Sequence, residues 1–201
     1  MKKSDLEQFL MVTQESNAMI QSNLERASSL VRSFKQISVD QSVEMKRTFL
    51  LKEYLEGITA SLKPALKKTR TYLTVACDEQ IQLFTYPGAL SQIMTNLVMN
   101  SLNHAYGAEE EGHLSIRVID KPDHIQIAYS DDGKGMTEDV LDRIFDPFFT
   151  TSRGQGGTGL GMNIVYNLVT ESLNGDIQCS SVVGQGSLFM ITIPKEEEAE
   201  L

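Results

Sequence analysis

The chain has 201 residues, of which 41% are hydrophobic and 22% are charged, and its formal net charge at pH 7 is −9. These fractions resemble those of ordinary globular domains, so they exclude a wholly disordered or fibrous protein. The negative charge disfavours a nucleic-acid partner or an anionic membrane surface, because either would need clustered lysine and arginine. The length suits one domain of ordinary size with an added helical element.

The two cysteines, Cys77 and Cys179, are far apart, and neither has a histidine or another cysteine at metal-ligand spacing. A zinc site and a disulfide framework are therefore both poorly supported, and we expect a reducing, cytoplasmic environment. The first residues, MKKSDLEQFL, lack an apolar signal core. No stretch approaches the ~20 apolar residues that span a bilayer.

The N-terminal region shows a heptad pattern, which predicts a long helix within residues 1–42. A single helix cannot cover its own apolar stripe, so we expect the stripe to pack against a helix of a neighbouring subunit or of a segment outside this chain. A helix that folds back on its own domain is the alternative. The polar members Thr13 and Asn17 are candidates for fixing the register. The stripe consists of Leu6, Leu10, Thr13, Asn17, Ile20, Leu24, Ala27, Val31 and Phe34.

Residues 43–195 alternate between helical and strand patterns, and we predict that they form the main domain, followed by an acidic tail at residues 196–201. Pro64 is expected to kink or end the regular part of the helix over 49–68. The order of elements predicts an α+β fold with a mixed sheet that helices cover on one face. The elements are a helix over 49–68, short strands or a strand and turn over 71–78 and 81–87, a helix over 88–106, a hairpin of 114–120 with 124–132, a helix over 159–175 that stops at Asn174 and Gly175, and a closing hairpin of 175–182 with 187–194.

Three asparagines of the helix over 88–106 share one face, because Asn96, Asn100 and Asn103 follow one another at spacings of four and three. An amide carbonyl oxygen is a neutral, hard ligand that suits Mg²⁺, which usually also keeps waters and bridges to phosphate. A solvated polar face is the alternative interpretation of these residues taken alone. The apolar stripe on the other side, which we expect to turn inward, consists of Leu90, Ile93, Met94 and Leu97.

The strand over 124–132 runs into the sequence DDGKGM, which begins with Asp131. Gly133 and Gly135 would let the backbone turn tightly and approach a planar ligand. A buried carboxylate at this strand end could accept a hydrogen bond from an exocyclic amine such as that of adenine, with Met136 among the apolar residues that hold the ring. Taken alone, this spacing is also a common turn composition.

The sequence GQGGTGLGM, residues 154–162, places five glycines in nine positions before an apolar helical pattern. The first turn of a helix has unpaired N–H groups that can receive phosphate oxygens, and glycines let a loop lie over a polyphosphate without side-chain collision. The pattern is not a P-loop, because no Lys-Ser or Lys-Thr follows it. It is not a dinucleotide fingerprint either, because no strand precedes it.

The segment before these glycines, RIFDPFFTTSR, contains Phe145, Phe148 and Phe149 and is too apolar for a plain linker. We expect it to fold over a pocket as a partly mobile lid. Arg153 at its end could reach a terminal phosphate, although an isolated arginine is equally consistent with a solvated side chain.

Four segments in chain order, QIMTNLVMNSLNHAY, SDDGKGM, IFDPFFTT and GGTGLGMNIV, resemble the N, G1, F and G2 boxes of sensor histidine kinases. These kinases belong to the ATP-binding superfamily that also includes DNA gyrase, Hsp90 and MutL. The resemblance spans about half of the chain, and the shared order and element context make it specific. It implies a Bergerat-type α/β sandwich, in which ATP lies between the helices that cover the sheet and the lid.

The resemblance also implies a role for matching residues. Asn100 would be the leading Mg²⁺ ligand with Asn96 beside it, and these two are the implied catalytic positions. Asp131 would bind the adenine amine in a pocket that Gly133 and Gly135 shape. The residues implied to contact ATP are Asn96, Asn100, Asn103, His104, Asp131, Gly133, Gly135, Met136, Phe149, Thr150, Arg153, Gly157, Thr158, Gly159, Leu160, Gly161 and Ser187, with Gly157, Gly159 and Gly161 in the phosphate loop.

Sensor histidine kinases carry a phosphoacceptor histidine on the first helix of a dimeric four-helix bundle. The histidines of this chain are His104, His113 and His124, and none belongs to the heptad pattern. Residues 1–42 instead resemble the second bundle helix, so we expect a fragment, or a protein without the first helix, that does not autophosphorylate alone. It would transfer the γ-phosphoryl group to a histidine on an absent helix, for relay to an aspartate in the receiver domain of a response regulator. The full-length parent is expected to be a homodimer, and an anchor in the inner membrane is compatible with it.

Three other functions compete with this interpretation. A gyrase-like or Hsp90-like ATPase would carry a glutamate where Asn96 stands, and an amide cannot take up a proton at neutral pH, so transfer to a protein nucleophile is favoured over hydrolysis. The long heptad helix disfavours a serine kinase of the anti-sigma type. The intact boxes disfavour a pseudokinase scaffold.

Overall fold

The computed structural model describes residues 11–14, 16–17, 19–20, 45–107, 110–151 and 158–196. The described residues between 11 and 20 are helical and exposed, and they include Thr13, Asn17 and Ile20 of the predicted stripe. The other stripe positions lie outside the described residues, so the partner of the stripe stays a prediction. Within the described residues, no helix combines the length and apolar character that a membrane crossing requires.

The strands of the main domain form two sheets, one antiparallel with two strands and one mixed with five strands. Helices alternate with these strands along the chain. Strands β1 and β3 pair antiparallel, and the other strands form a sheet of order β2-β4-β5-β7-β6, in which only β2 and β4 are parallel. The elements are β1 (Arg47–Leu50), α1 (Leu51–Leu66), β2 (Thr71–Ala76), β3 (Gln82–Thr85), α2 (Pro87–His104), β4 (Gly112–Asp120), β5 (His124–Asp131), α3 (Glu138–Leu141), α4 (Gly161–Asn167), a π-helical segment (Leu168–Ser172), β6 (Asp176–Val182) and β7 (Gly186–Pro194).

The helices cover one face of the five-stranded sheet, as the sequence predicts. Alternate residues of β5 are buried, which is the period-two pattern of a strand with one face in the core. The apolar stripe of α2 faces inward, since each of its four members is at most 1% exposed. The fully buried residues that line this core from both sides include Leu51, Leu55, Leu90, Ile93, Met94, Leu97, Leu114, Ile116, Ile125 and Phe189.

The predicted carboxylate lies at the end of β5, the central strand of the five-stranded sheet. Asp131 is the last residue of β5, and it lies opposite Leu114 of β4 and Ser187 of β7. Helix α2 begins with Pro87, whose missing N–H costs nothing in the first turn. The cavity described below lies where α2 and the end of β5 meet.

The helix predicted over 49–68 does not begin at residue 49, so that predicted start is wrong. Phe49 and Leu50 belong to β1, which pairs with β3 in a register that sets Leu50 opposite Gln82. Helix α1 begins at Leu51, whose N–H donates to the carbonyl oxygen of Ile81 at 2.9 Å. The residues 49–51 are apolar and fit a helical pattern equally well, so only the pairing with a strand more than 30 positions away decides their structure.

Two predicted helix ends are confirmed, and one helix is less regular than predicted. Pro64 lies in the last turn of α1, which ends at Leu66. The helix predicted over 159–175 begins at Gly161 and changes to π geometry over Leu168–Ser172. Asn174 then adopts a φ of 51°, and the N–H of Gly175 donates to the carbonyl oxygen of Val169 at 2.8 Å, as a helix stop requires.

Candidate functional site

A cavity of about 590 Å³ lies between α2, the end of β5 and the residues that lead into α4. Its volume falls in the range of small-molecule sites. Of the predicted residues, Gly133 and Leu160 do not line it, and Arg153 and Gly157 lie outside the described residues. The predicted residues that the structure brings together around the cavity are Asn96, Asn100, Asn103, His104, Asp131, Gly135, Met136, Phe149, Thr150, Thr158, Gly159, Gly161 and Ser187.

Asp131 is a buried carboxylate at one end of the cavity, with 7% of its surface exposed. The Ser101 hydroxyl donates to its Oδ2 at 3.0 Å, and the Gly133 N–H donates to its Oδ1 at 3.2 Å. Burial raises the pKa of Asp131, while hydrogen bonds from Ser101, Gly133 and the backbone of Ser187 oppose that rise. Gly133 therefore contributes by holding the carboxylate rather than by lining the cavity.

The next residue, Asp132, is held by a separate set of groups. Its Oδ1 accepts hydrogen bonds from the Tyr106 hydroxyl at 2.9 Å and from the His113 N–H at 2.8 Å. Burial first, and then the hydrogen bond to Asp132, raises the pKa of Tyr106, so the phenol stays a donor. Asp132 does not line the cavity, so Asp131 is the carboxylate that faces it among the described residues.

The turn after Asp131 packs tightly against the β6–β7 hairpin. Gly135 has a φ of 67°, and a Cβ at this position would lie 2.1 Å from the carbonyl oxygen of Val182. Only glycine fits a left-handed conformation with backbone so close. The N–H of Met136 donates to Ser181 Oγ at 2.9 Å, and Ser181 Oγ donates to the carbonyl oxygen of Gly186 at 2.7 Å. The hairpin therefore fixes the wall that Gly135 and Met136 form.

The predicted polar face of α2 lines the other side of the cavity. Asn96 and Asn100 are partly buried, and Asn103 is exposed. The Nδ2 of Asn96 is buried without a hydrogen-bond partner among the described residues. Burial and the nearby charge of Lys134 lower the pKa of His104, so its imidazole is neutral at pH 7. An unpartnered buried amide beside a cavity is suited to a polar ligand, because leaving it unpaired costs free energy.

The segment between residues 143 and 161 contributes one aromatic residue to the cavity. Phe149 lines it, and the Arg143 guanidinium lies 4.6 Å from the centre of the Phe149 ring. Phe148 is 59% exposed, and Phe145 packs against Tyr166 with ring centres 5.5 Å apart. Of the three phenylalanines of the predicted lid, Phe149 therefore lines the cavity, and the closing role of the segment stays a prediction.

Gly159 lies close against the backbone of Phe148 and Phe149. Its φ is 68°, and a Cβ there would lie 2.5 Å from the carbonyl carbon of Phe148. The side chain of Thr158 precedes it and accepts a hydrogen bond from the Leu160 N–H at 3.4 Å. Gly161 follows as the first residue of α4, so the start of that helix borders the cavity.

The donor set of the cavity fits Mg²⁺ only in company with phosphate. In the described parts of the chain, no three histidine, cysteine, aspartate or glutamate side chains cluster closely enough to hold a metal ion. The amide oxygens of Asn96 and Asn100 are hard, neutral donors of the kind that Mg²⁺ accepts. Mg²⁺ keeps several waters and takes few protein ligands when phosphate oxygens complete its shell, so a pair of amides is sufficient.

Several residues of the cavity wall escaped the sequence analysis. Ser101 follows Asn100 directly, but it lies on the buried side of α2, where a hydroxyl is expected to have a partner; that rule could have singled it out. Lys134 lies between two predicted glycines. Val183 and Phe189 come from the closing hairpin and carry no local signal. The full set comprises Met99, Ser101, Ala105, Lys134, Thr137, Val140, Ile144, Thr151, Met162, Val183 and Phe189.

A buried carboxylate, a row of helix amides and the described glycines Gly159 and Gly161 thus lie around one cavity. Residues 85–197, more than half of the chain, match the family described as histidine kinase-, DNA gyrase B- and HSP90-like ATPase. The chain belongs to this family.

Its curated relatives include sensor kinases. Sporulation kinase E of Bacillus subtilis (strain 168) is 29% identical over 187 residues, which cover 90% of this chain and 24% of that protein. Sensor histidine kinase ZraS of Escherichia coli (strain K12) is 39% identical over 108 residues, or 54% of this chain and 22% of that protein. The chain thus spans about a quarter or less of the length of these relatives.

Solved structures show the same fold. Histidine kinase ThkA, in a complex with the response regulator protein TrrA, superposes with a TM-score of 0.70 at 22% identity, covering 89% of this chain and 50% of that one. Together with the family match and the relatives, this identifies an ATP-binding catalytic domain of the sensor histidine kinase type.

Proposed function

We propose that this chain supplies the catalytic half of a two-component histidine kinase: it binds Mg²⁺-ATP and presents the γ-phosphoryl group to a histidine on another helix. The observation that carries the proposal is the single cavity that unites Asp131 at one end with Asn96 and Asn100 of α2 at the other. The base of ATP would lie at Asp131, because a buried acceptor suits the adenine amine. The phosphates would lie along α2 toward Gly159 and the start of α4.

The amides of α2 favour phosphoryl transfer over hydrolysis. Asn96 occupies a position beside Asn100 where a general base would have to stand to activate water, and an amide cannot accept that proton at neutral pH. Catalysis would then consist of positioning and charge stabilisation, which is how phosphoryl transfer enzymes work in general. A competing hydrolase would use the neutral imidazole of His104 as its base. Release of free phosphate that depends on His104 would therefore distinguish hydrolysis from transfer.

Mg²⁺ is proposed as the companion of the nucleotide, held by the amide oxygen of Asn100 with Asn96 beside it. When bound, it would neutralise charge on the transferred phosphoryl group. The unpartnered atom of Asn96 among the described residues is its Nδ2, a donor that suits a phosphate oxygen beside the metal and not the metal itself. Neutral side chains leave the net charge of the metal available for the phosphates, since Asp131, proposed to hold the base, is the one carboxylate of the described residues that lines the cavity.

The acceptor histidine is proposed to lie outside this chain. His104 lines the cavity, His113 pairs with Thr74 at 3.1 Å, and His124 pairs with Asp123 at 2.7 Å. All three are built into the ATP-binding domain rather than presented on the N-terminal helix. The heptad stripe supports a helical bundle and a homodimeric parent as the source of the acceptor.

A response regulator is proposed as the final recipient of the phosphoryl group. The support is the complex of ThkA, a protein of the same fold, with the response regulator TrrA. The composition of the chain supports a cytoplasmic site of action, where such a partner would reach it. A nucleic-acid partner is not proposed, because the net charge of −9 opposes one.

The proposal is tested by titrating the chain with ATP in a calorimeter, first with Mg²⁺ and then with a chelator. We expect saturable binding that weakens when Mg²⁺ is removed and when Asn100→Ala removes the amide. Asn167→Ala is the matched control, since Asn167 is also a partly buried helix amide but does not line the cavity. Absence of ATP binding by the wild-type chain would overturn the proposal.

Transfer is measured in the same preparation with γ-labelled ATP and a supplied bundle helix that carries a histidine. We expect acid-labile label on that helix and little release of free phosphate. Rapid release of phosphate that depends on His104 would support the hydrolase, and tight ATP binding with neither reaction would support a scaffold.

A further inference from the structure

Behind Asp131 lies a chain of buried hydroxyl groups that the proposed function does not use. The Tyr129 hydroxyl donates to Ser101 Oγ at 2.9 Å, and Ser101 Oγ donates to Asp131 Oδ2 at 3.0 Å. Tyr129 is fully buried and Ser101 is 2% exposed. Water therefore has little access to these hydrogen bonds, and the groups depend on one another and on nearby backbone for their partners.

The three groups meet because of helix position and strand period. Tyr129 and Asp131 are two residues apart on β5, so both side chains point to the core face. Ser101 reaches them from the buried side of α2, one position after Asn100. The carbonyl oxygen of Leu97, one turn earlier on α2, lies 3.3 Å from the Tyr129 hydroxyl and accepts from it as well. The helix that carries the amides thus also holds the carboxylate.

The direction of the chain follows from the number of hydrogens. Ser101 has one hydroxyl hydrogen, and by giving it to Asp131 it needs a donor for its own oxygen, which Tyr129 supplies. The Gly133 N–H donates to the other oxygen of Asp131 at 3.2 Å. An ionised carboxylate accepts only, so donors on both oxygens fix its plane and leave its remaining lone pairs for a ligand in the cavity.

We propose that Ser101, supported by Tyr129, is a positioning residue for base recognition, which holds Asp131 as an oriented, ionised acceptor and so gives the site its preference for a purine with an exocyclic amine. This inference rests on the proposed function, in that ATP must place its base at Asp131. A protonated carboxyl group would present an O–H donor to the amine, and a rotated one would not aim a lone pair at it. In either case the preference for a purine with an exocyclic amine would fall.

The electrostatic surroundings of Asp131 make its ionisation depend on this donor. Burial and the neighbouring charge of Asp132 raise its pKa, and the hydrogen bond from Ser101 is the foremost opposing cause. Without that bond, the carboxyl group is expected to take up a proton at a higher pH. The other titratable or charged groups that surround it or share the cavity are Tyr106, Tyr129, Cys179, His104 and Lys134.

The experiment compares ATP with the triphosphate of purine riboside, which has a hydrogen in place of the adenine amine. Calorimetric affinities are measured from pH 5 to pH 8 for the wild type, Ser101→Ala and Tyr129→Phe. Ser115→Ala is the matched control, because Ser115 Oγ pairs with Ser130 Oγ at 2.8 Å across β4 and β5 but does not line the cavity.

We expect Ser101→Ala to weaken ATP binding roughly ten-fold while hardly changing the affinity for the amine-free nucleotide, since a hydrogen bond to a charged group is at stake. Its loss of ATP affinity on acidification should begin at a higher pH than in the wild type. Tyr129→Phe should shift both measurements in the same direction by a smaller factor, because Ser101 can still donate. Ser115→Ala should match the wild type.

A merely structural role of Ser101 would weaken both nucleotides equally and leave the pH profile in place, and that result would overturn the inference. If the wild type binds ATP but Ser101→Ala leaves the ratio of the affinities for ATP and the amine-free nucleotide unchanged, the role of Ser101 is rejected and the proposed function stands. Failure of the wild type to bind ATP would overturn the proposed function together with this inference.

Discussion

Two groups in the cavity wall differ in how far the protein satisfies its own polar atoms, and we name them the Asp131 end (Asp131 with Ser101, Gly133 and Tyr129) and the α2 amide end (Asn96 and Asn100). At the Asp131 end, the carboxylate accepts hydrogen bonds from Ser101 and Gly133, and Tyr129 backs Ser101. At the α2 amide end, the buried Nδ2 of Asn96 has no hydrogen-bond partner within the part of the chain that the structure describes. The first end is organised before a ligand arrives, whereas the second presents a group that a ligand would complete.

This difference teaches where each end can contribute free energy. A preorganised acceptor loses little freedom when it binds, so it provides selectivity for the group it faces. An unpartnered amide is costly in the empty protein and gains a hydrogen bond only with the ligand present. Substitutions that disrupt the close packing or the hydrogen-bond donors around Asp131 should therefore disturb folding and binding together, whereas substitutions at the amide end should disturb binding with little effect on folding.

The largest effect is expected where the Asp131 end is most tightly packed. Gly135→Ala places a Cβ 2.1 Å from the carbonyl oxygen of Val182 at a φ of 67°. Strain and overlap together should lower the free energy of unfolding by about 3 kcal/mol or more. Urea denaturation followed by circular dichroism measures the loss.

A matched control separates strain from overlap. Gly184 also has a positive φ, 79°, but a Cβ there would meet nothing within 4 Å. Gly184→Ala should therefore cost only about 1 kcal/mol, from backbone strain alone. Equal costs for the two variants would show that the close approach of Gly135 to the hairpin does not constrain this end of the cavity.

The next effect concerns the carboxylate itself. Asp131→Asn keeps the shape of the side chain but removes the charged acceptor, so ATP affinity should fall roughly ten- to hundredfold. The free energy of unfolding of the empty protein should not fall in parallel, because burial of the charge is what raises the pKa of Asp131. Calorimetry and urea denaturation on the same samples give both quantities.

The pH dependence of stability gives an independent check of this substitution. A raised pKa means that the folded protein binds more protons than the unfolded chain once the pH exceeds the ordinary value of 3.8. The wild type should therefore lose stability relative to Asp131→Asn as the pH rises from about 4 through the pKa of the folded state. The opposite slope would mean that the hydrogen bonds outweigh burial.

The same contrast shows how much of this molecule its sequence predicts. Asn96, Asn100 and Asn103 could be placed on one face because helical spacing is local, and Asp131 could be placed at a strand end because the alternation of β5 stops there. The hydrogen bond from Ser101 joins residues 30 positions apart, and β1 exists only because β3 pairs with it. Contacts of this kind depend on tertiary packing, for which the local pattern carries no signal.

The next prediction sharpens the contrast from the amide end. Asn96→Ala removes an unpartnered buried amide, so the free energy of unfolding without nucleotide should change by less than about 1 kcal/mol. Ser101→Ala removes a group with two partners and should cost more, about 1–3 kcal/mol. Urea denaturation without nucleotide tests the ranking, and a greater cost for Asn96→Ala would mean that the two ends do not differ as described.

The smallest effect is expected at a site remote from both ends, which serves as their reference. Glu196 forms an ion pair with Lys46 and accepts a hydrogen bond from Asn174 Nδ2 at 3.4 Å, joining the segment before β1 to the segment after β7. The Lys46 bond lowers the pKa of Glu196, so its stabilisation is present above the unfolded value of 4.5 and is lost as the pH falls through the folded pKa. Because the Glu196 side chain is 35% exposed, solvent screens the pair and Glu196→Gln should cost only about 0.5 kcal/mol at pH 7, and this cost should shrink as the pH falls through the folded pKa. ATP affinity should not change in Glu196→Gln. A fall in affinity would show that this part of the domain is coupled to the cavity. Neither end of the cavity could then be treated as independent of the segment before β1.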